Sequence, residues 1–370
     1  MGGRMKELVD ALFRNVPTGV GAHRRDLRLS APELRKILME GARAAVSSGR
    51  GEAADLDHIE EGGTIPGADP DLVSERAVER GRPQLGTLGS GNHFLEVDRV
   101  DEIFHEEAAR AFGLAMGQVA FVIHTGSRGL GYQVCDDFLQ GMLRAAAKYG
   151  IDLPDRQLCC APIRSEEGKR YLAAMAAAAN FAFANRQVIA HYLRETLAKD
   201  LGIPPREHRV STVYDVCHNI AKMESHEVDG RQRRLCVHRK GATRAFPPGH
   251  PQTPSAYRAV GQPVLIPGDM GRYSYVLAGT AKAYRETWGS SCHGAGRRLS
   301  RAEAKRTSRG RPIVRELEDR GIIVRSAGMA TLLEEVPEAY KDVSEVVEVV
   351  ERAGISRKVA RLVPMGVIKG

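Results

Sequence analysis

Apolar residues near the start of the chain recur at helical spacing. Leu8, Leu12 and Phe13 fall on one side of Met5–Phe13, which predicts a first helix. Ser30-Ala31-Pro32-Glu33 has the form of a capping box with proline in the first turn. Leu34, Ile37 and Leu38 follow at helical spacing, so a second helix starts there. Residues 57–70 are polar and turn-rich apart from Ile59 and Ile65, and Asp71–Glu79 predicts a short helix ended by Gly81 and Pro83. Gln118–Ile123 is a short apolar run, predicted as a buried strand with His124 at its tip. The alanine-rich stretch Lys169–Leu201 carries apolar residues on both faces of its middle and predicts the longest helix, largely buried. Further strands are predicted at Val213–Val216, Arg234–Val237, Val264–Ile266, Tyr275–Leu277 and Ile322–Val324. An amphipathic helix at Val343–Arg352 and a strand or extended tail at Val359–Val367 close the chain. Strands and helices do not alternate regularly and no repeat or long linker interrupts them. The reading is therefore α+β in one domain spanning 1–370, not a doubly wound sheet.

Composition adds little except a sign of charge. The 370 residues are 42% hydrophobic and 27% charged, as in an ordinary globular protein, and Lys+Arg exceed Asp+Glu by 54 to 46. The resulting +8 suits a polyanionic partner such as nucleic acid, and solubility explains it as well. Six cysteines form no CxxC pair, which argues against a zinc knuckle, and adjacent Cys159-Cys160 reads as buried thiols. The opening segment Met1–Glu7 has no apolar signal core and no stretch is long enough to span a bilayer, so a reducing, cytoplasmic compartment is expected.

Four histidines stand in unusual frames. His93 lies in Gly89-Ser90-Gly91-Asn92-His93-Phe94-Leu95-Glu96, His124 in His124-Thr125-Gly126-Ser127-Arg128-Gly129, His218 in Tyr214-Asp215-Val216-Cys217-His218-Asn219, and His293 in Ser291-Cys292-His293-Gly294-Ala295-Gly296-Arg297. Glycine lets backbone approach a metal or phosphate closely and exposes N–H groups. His93, His124 and His218 are candidate metal ligands, since two strands that each end in an imidazole are a common way to build a metal site; hydrogen-bonded structural histidines are the plainer alternative. Arg128, expected in a flexible loop, suits a phosphate, with a solvated surface arginine in a turn as the plainer alternative. Glu96 suits a nucleobase edge, a sugar or an arginine. Val237–Arg244 is expected as a basic loop able to track a nucleic-acid backbone, although a solvated charge run explains it too. The turn Pro267-Gly268-Asp269-Met270-Gly271, with Ser274 beyond, offers backbone amides to a nucleotide or is simply a turn. His293 is flanked by the small Gly294, Ala295 and Gly296, which leave its ring open to a bulky group. It suits a nucleophile that attacks the α-phosphorus of a nucleoside triphosphate.

Together these frames, with His238-Arg239-Lys240-Gly241-Ala242-Thr243-Arg244-Ala245-Phe246-Pro247-Pro248-Gly249, closely resemble the RtcB-type tRNA-splicing RNA ligases. The resemblance runs from Glu7 to Gly370. It implies a single RtcB-like α+β domain of mixed and antiparallel sheets with surrounding helices. It implies joining of RNA with a 2′,3′-cyclic phosphate or 3′-phosphate to RNA with a 5′-hydroxyl, using GTP and two Mn²⁺ ions. His293 matches the guanylated histidine, His93 a ligand of one manganese, and His124 with His218 ligands of the other. GMP contacts would fall at Asn92, His93, Phe94, Leu95, Glu96, His218, Asn219, Pro267, Gly268, Asp269, Met270, Ser274, His293, Gly294, Ala295, Gly296 and Lys369. The RNA partners would be tRNA halves or broken RNA, with an archease-type activator as a possible helper. The chain departs from the family pattern in two ways. It starts downstream of the family's Asp-x-x-Cys-Gly segment, whose Asp and Cys also bind metal, and Asp269 stands where many relatives have Ser. A metal-dependent phosphoesterase, or an RNA-binding short form with impaired catalysis, are the competing functions.

Overall fold

The computed structural model describes residues 2–24 and 26–370; Met1, the first residue of the opening segment, lies outside the described residues. Among the described residues ten strands form, in chain order: β1 (Phe94–Ile103), β2 (Val119–His124), β3 (Asn219–Val228), β4 (Arg231–Lys240), β5 (Ala242–Arg244), β6 (Pro263–Ile266), β7 (Ser274–Gly279), β8 (Ser290–Cys292), β9 (Ile323–Ser326) and β10 (Ser356–Lys369). The main sheet runs β2-β1-β10-β7-β6, antiparallel throughout, and β9 joins β10 in parallel. Register shifts at Val97/Asp98 and Val100/Glu102 interrupt the β1–β10 ladder, and bulges of this kind bend and twist a sheet. Two small sheets stand apart from it, the hairpin β3–β4 and the pair β5–β8.

Helices bury their apolar stripes partly on this sheet and partly on one another. The helix α1 (Gly2–Asn15) buries Leu8, Val9, Ala11 and Leu12 against Leu95, Val97 and Ile368. The helix α2 (Ala31–Glu40) starts at the expected capping box, with Ser30 and Glu33 bonded reciprocally. The helix α3 (Arg128–Lys148) was not predicted, because its glycines and mixed surface hide a helical period. It starts immediately after the glycine frame that reads as a flexible loop, so Arg128 is a helix N-terminal residue. The helix α4 (Glu166–Lys199) is the predicted long alanine-rich helix, buried along its middle. The helix α5 (Val343–Arg352) matches its predicted bounds. The opposite face of the sheet packs Val100, Val276, Val359 and Leu362 on Phe112, Tyr214 and Tyr257.

Several expectations need correction. Val213–Val216 is extended but is no strand: only Asp215 makes a bridge, to Ile59, and the neighbouring backbone is engaged by side chains, as where the Tyr257 hydroxyl donates to the Val213 carbonyl at 2.6 Å. His218 therefore precedes a strand, β3, and does not follow one. Val237–Arg244 is no loop but the end of β4, Gly241 and β5. β2 is half-buried along its length, as the outermost strand of its sheet. The helix expected at Asp71–Glu79 is Glu75–Gly81, because Ser74 caps it after a separate turn at Pro70–Leu72. Cys159 and Cys160 are half-buried, and the described cysteines are all free thiols. No helix among the described residues is long and apolar enough to cross a membrane.

Candidate active site

Strand pairing assembles the histidines two by two. In the β1–β2 register Phe94 faces His124, which brings the preceding His93 near His124, with ring centroids 6.1 Å apart. On the other side, β4 and β5 are joined through Gly241, whose N–H donates to the His218 carbonyl at 3.0 Å. Ala242 pairs with Cys292, so His293 emerges beside His218, and the two rings stack at 4.1 Å. The pairs meet where His124 Nε2 lies 3.2 Å from His218 Nε2. One ligand atom each from His124, His218 and His293 falls within 4.8 Å of the others, the only such group of three or more His, Cys, Asp or Glu among the described residues.

These rings are held neutral. Burial, then the neighbouring Arg128 and Lys369, push His93 down to about 3. Burial, then His293, Arg186 and Lys240, push His218 down to about 3. Burial followed by the other histidines holds His124 well below the usual imidazole range. Burial lowers His293 too, against an opposing backbone hydrogen bond with Gly241. The buried Nδ1 atoms of His124 and His218 have no hydrogen-bond partner. Neutral imidazoles whose ring nitrogens lie this close together are a donor set a divalent transition-metal ion takes, so the residues present fit such an ion. His93 stands apart from this trio, because its Nδ1 accepts from Arg128 Nη1 at 3.2 Å.

Arg128 is the second unusual feature. Its φ is +53°, its Nε donates to Thr87 Oγ1 at 3.2 Å, and among the described residues it has no carboxylate partner. Burial pushes it down to about 10. Gly89 makes room for it: a Cβ there would stand 1.9 Å from Arg128 Nη1. A partly buried guanidinium without an acid is suited to an anionic ligand.

The expected nucleotide contacts divide by burial. Asn92 and His93 lie in a turn before β1, so the strand alternation begins only at Phe94. Phe94 lies under Lys369 Nζ, 5.4 Å from its ring centroid, and Lys369 is buried beside Glu335. Burial, then Asp98, raises Glu96 well above the carboxylate range. Burial pushes Asp269 up to about 6, although its Oδ1 accepts from the Gly271 N–H. Gly268 N–H donates to Ser274 Oγ at 3.3 Å. Leu95, Met270 and Ala295 put their side chains into core clusters, which leaves only their backbone for a ligand. Asn219 is exposed, Pro267, His293 and Gly294 are half-buried, and Gly296 is exposed. Cys217 faces the core, where burial pushes its thiol up to about 12, so it brings no thiolate to the cluster.

The sequence reading missed the residues behind the site. From α4, Asn185 binds Gly86 N, Thr87 N, Thr87 O and Gly126 O. Arg186 joins Asp215 at 2.6 Å to the Thr125 carbonyl at 3.2 Å, which ties the His124 and His218 segments together. Asn185-Arg186-Gln187 inside a buried alanine-rich run was the signal available for them. The site opens on a cavity of about 1670 Å³ lined by His93, His124, Arg128 and His218.

Comparison with known proteins agrees with this picture. A family model described as tRNA-splicing ligase RtcB matches residues 1–370. The tRNA-splicing ligase RtcB of Archaeoglobus fulgidus is 59% identical over 366 residues, covering 99% of this chain and 76% of the relative. That of Thermococcus kodakarensis is 57% identical with the same coverage. That of Pyrococcus abyssi is 58% identical over 99% of this chain and 40% of the relative. A match along the whole chain, at such identities, places this protein in the RtcB tRNA-splicing ligase family.

Proposed function

We propose that residues 1–370 work as one unit, a GTP- and Mn²⁺-dependent RNA ligase that joins 3′-phosphate or 2′,3′-cyclic phosphate ends to 5′-hydroxyl ends. The observation that carries this reading is a half-buried, neutral His293 stacked on His218, beside imidazoles able to hold a cation. His124 and His218 would hold one Mn²⁺ ion, which when bound supplies charge to offset that of phosphate oxygens. His93 would serve a second ion once Arg128 turns from its Nδ1 to an anionic oxygen. The unprotonated His293 nitrogen attacks the α-phosphorus of GTP; a P–N bond forms and pyrophosphate leaves. A 2′,3′-cyclic end is first opened by water, which breaks its P–O2′ bond and leaves a 2′-hydroxyl and a 3′-phosphate. An oxygen of the RNA 3′-phosphate then takes the GMP from His293, breaking the P–N bond and freeing the imidazole. The 5′-hydroxyl attacks that activated phosphate and expels GMP. Phe94, Glu96, Asp269, Ser274 and Lys369 surround the guanosine in this reading. Asn92, Asn219, Pro267 and Gly294 border the nucleotide, with backbone from Leu95, Gly268, Met270, Ala295 and Gly296.

The test is incubation with α-labelled GTP and Mn²⁺. Acid-labile label on the protein, lost in His293→Ala, is expected; unlabelled wild-type protein would overturn the reading. One observation favours a second reading. His293 belongs to the compact ligand trio, as it would in a metal-dependent phosphoesterase that activates water. That enzyme would release phosphate from RNA ends without GTP and never carry label.

A further inference from the structure

The expected basic loop at Val237–Arg244 is divided by the fold into cations that are used and cations that are not. Arg239 and Arg244 point inward. Arg239 is clamped by Glu224 at 2.6 and 2.9 Å and donates to the Trp288 carbonyl and Ser290 Oγ, which anchors β8 below His293. Arg244 is bound by Glu61 at 2.7 Å and lies against Glu60. Neither is available to a ligand. Strand alternation sends Gln232, Arg234, Cys236, His238 and Lys240 to the other face of β4. Arg234, His238 and Lys240 are exposed, and among the described residues no carboxylate lies within ion-pair distance of them. Across the hairpin the same face carries Ser225, Met223, Ala221 and Asn219, and its one acid, Glu227, sits near the tip opposite Gln232. His238 makes only a weak contact of 3.6 Å with Cys236 Sγ.

This face leads directly to the histidines. Lys240 is joined through Gly241 to the backbone of His218, and a Cβ on Gly241 would lie 3.8 Å from His293 Nδ1. Cys236, His238, Lys240, Asn219 and Ala221 line the same cavity as His124 and His218. Alternate residues on a strand are about 6.6 Å apart, a spacing close to that of successive phosphates in an extended single strand; His238 and Lys240 stand one such step apart, and Arg234 two steps from His238 across Cys236. Met223, 41% exposed on this face, gives a base or ribose an apolar seat.

We propose that the outer face of the β3–β4 hairpin is the track for a single-stranded RNA end, whose phosphates lie along Arg234, His238 and Lys240 and lead its terminus to the histidine cluster. The proposal rests on the ligase reading for its partner and adds where the strand runs. Its test is binding of a short, fluorescently labelled, single-stranded RNA with a 3′-phosphate, followed by anisotropy across a range of salt concentrations without GTP. Each lost phosphate contact lowers the slope of log affinity against log salt by about 0.7 for a single strand, so Arg234→Gln/Lys240→Gln lowers it by about 1.4 and weakens binding. Arg231→Gln/Arg233→Gln, which removes the same charge from the opposite face of the tip, leaves the slope near that of wild type. An unchanged slope in the first variant, an equal loss in the second, or no RNA binding by wild-type protein would each overturn the track. Labelling of wild-type protein by α-labelled GTP is measured in parallel. Its failure removes the ligase reading, while the salt slopes still decide whether this face holds RNA.

Discussion

Two buried polar regions of this molecule differ in one respect. Along α4, Asp55 accepts from Arg194, Gln187 and Thr212 at 2.6–2.7 Å, and Asn180 bonds Ile65 N and the carbonyls of Leu38, Met39 and Ile65. Every polar atom of Asp55 and Asn180 has a partner. At the histidine cluster, two imidazole nitrogens have none among the described residues and Arg128 has no acid there. Burial without partners is costly, and a cluster of such groups around one cavity is a candidate place for a ligand that supplies what is missing. The difference separates polar groups that build the fold from the polar groups that carry the proposed function.

That contrast can be broken in order of effect. Asp55→Ala strips the buried Arg194 of its bidentate partner and leaves it only the half-exposed Glu52 at 3.7 Å, and unfolding by denaturant is expected to show a loss of about 3–5 kcal/mol. A loss below about 1 kcal/mol would mean the network is not structural. Gly89→Ala forces a φ of +95° on alanine and drives Arg128 from His93. A cost of about 1–3 kcal/mol is expected by the same measurement, along with weaker binding of inorganic phosphate. His124→Ala removes a group with an unsatisfied nitrogen, so stability should stay within about 1 kcal/mol while Mn²⁺ affinity, followed by calorimetry, falls more than about tenfold. Unchanged Mn²⁺ affinity would take His124 out of the ligand set.

The finest distinction is in pH. Burial alone would raise Asp55, but the hydrogen bonds from Arg194 and Thr212 prevail and hold it at about 2, below its ordinary 3.8. The unfolded chain therefore binds that proton first; the stabilisation is complete above 3.8 and lost as pH falls through 2. His218 at about 3 is also depressed, from 6.5, so its share is present above 6.5 and lost as pH falls through 3. Metal-free protein is expected to show both limbs. His218→Asn should flatten the stability curve between pH 6.5 and 3, and Asp55→Asn only the more acidic part. A curve unmoved by His218→Asn would show that the ring is not held neutral by the fold.

Much of this was legible in the residues. The capping box at Ser30, the long helix ending at Lys199, the strand that delivers His124 and the four histidine frames all follow from local pattern, and the frames carry the family resemblance. The Arg128 helix was hidden by a glycine frame that serves two purposes, as a loop and as a helix start. The Val213–Val216 error has the opposite cause: β-branched residues favour extension, yet a strand needs a neighbour, and here only Asp215 has one. The buried asparagines of α4 could have been singled out as polar exceptions in an apolar run, but their partners at positions 38, 65, 87 and 126 are distant in sequence.

The order of residues by itself determined the helices with strong periods and caps, the apolar strands and which imidazoles stand among glycines, because these depend on neighbours within a few positions. Only the tertiary structure decided that His293 stacks on His218, that Arg239 is consumed by Glu224 while Lys240 stays free, and that Arg128 lies against His93. Those outcomes depend on strand register and on which face of a strand is covered, and a shift of one residue would reverse every inward and outward side chain.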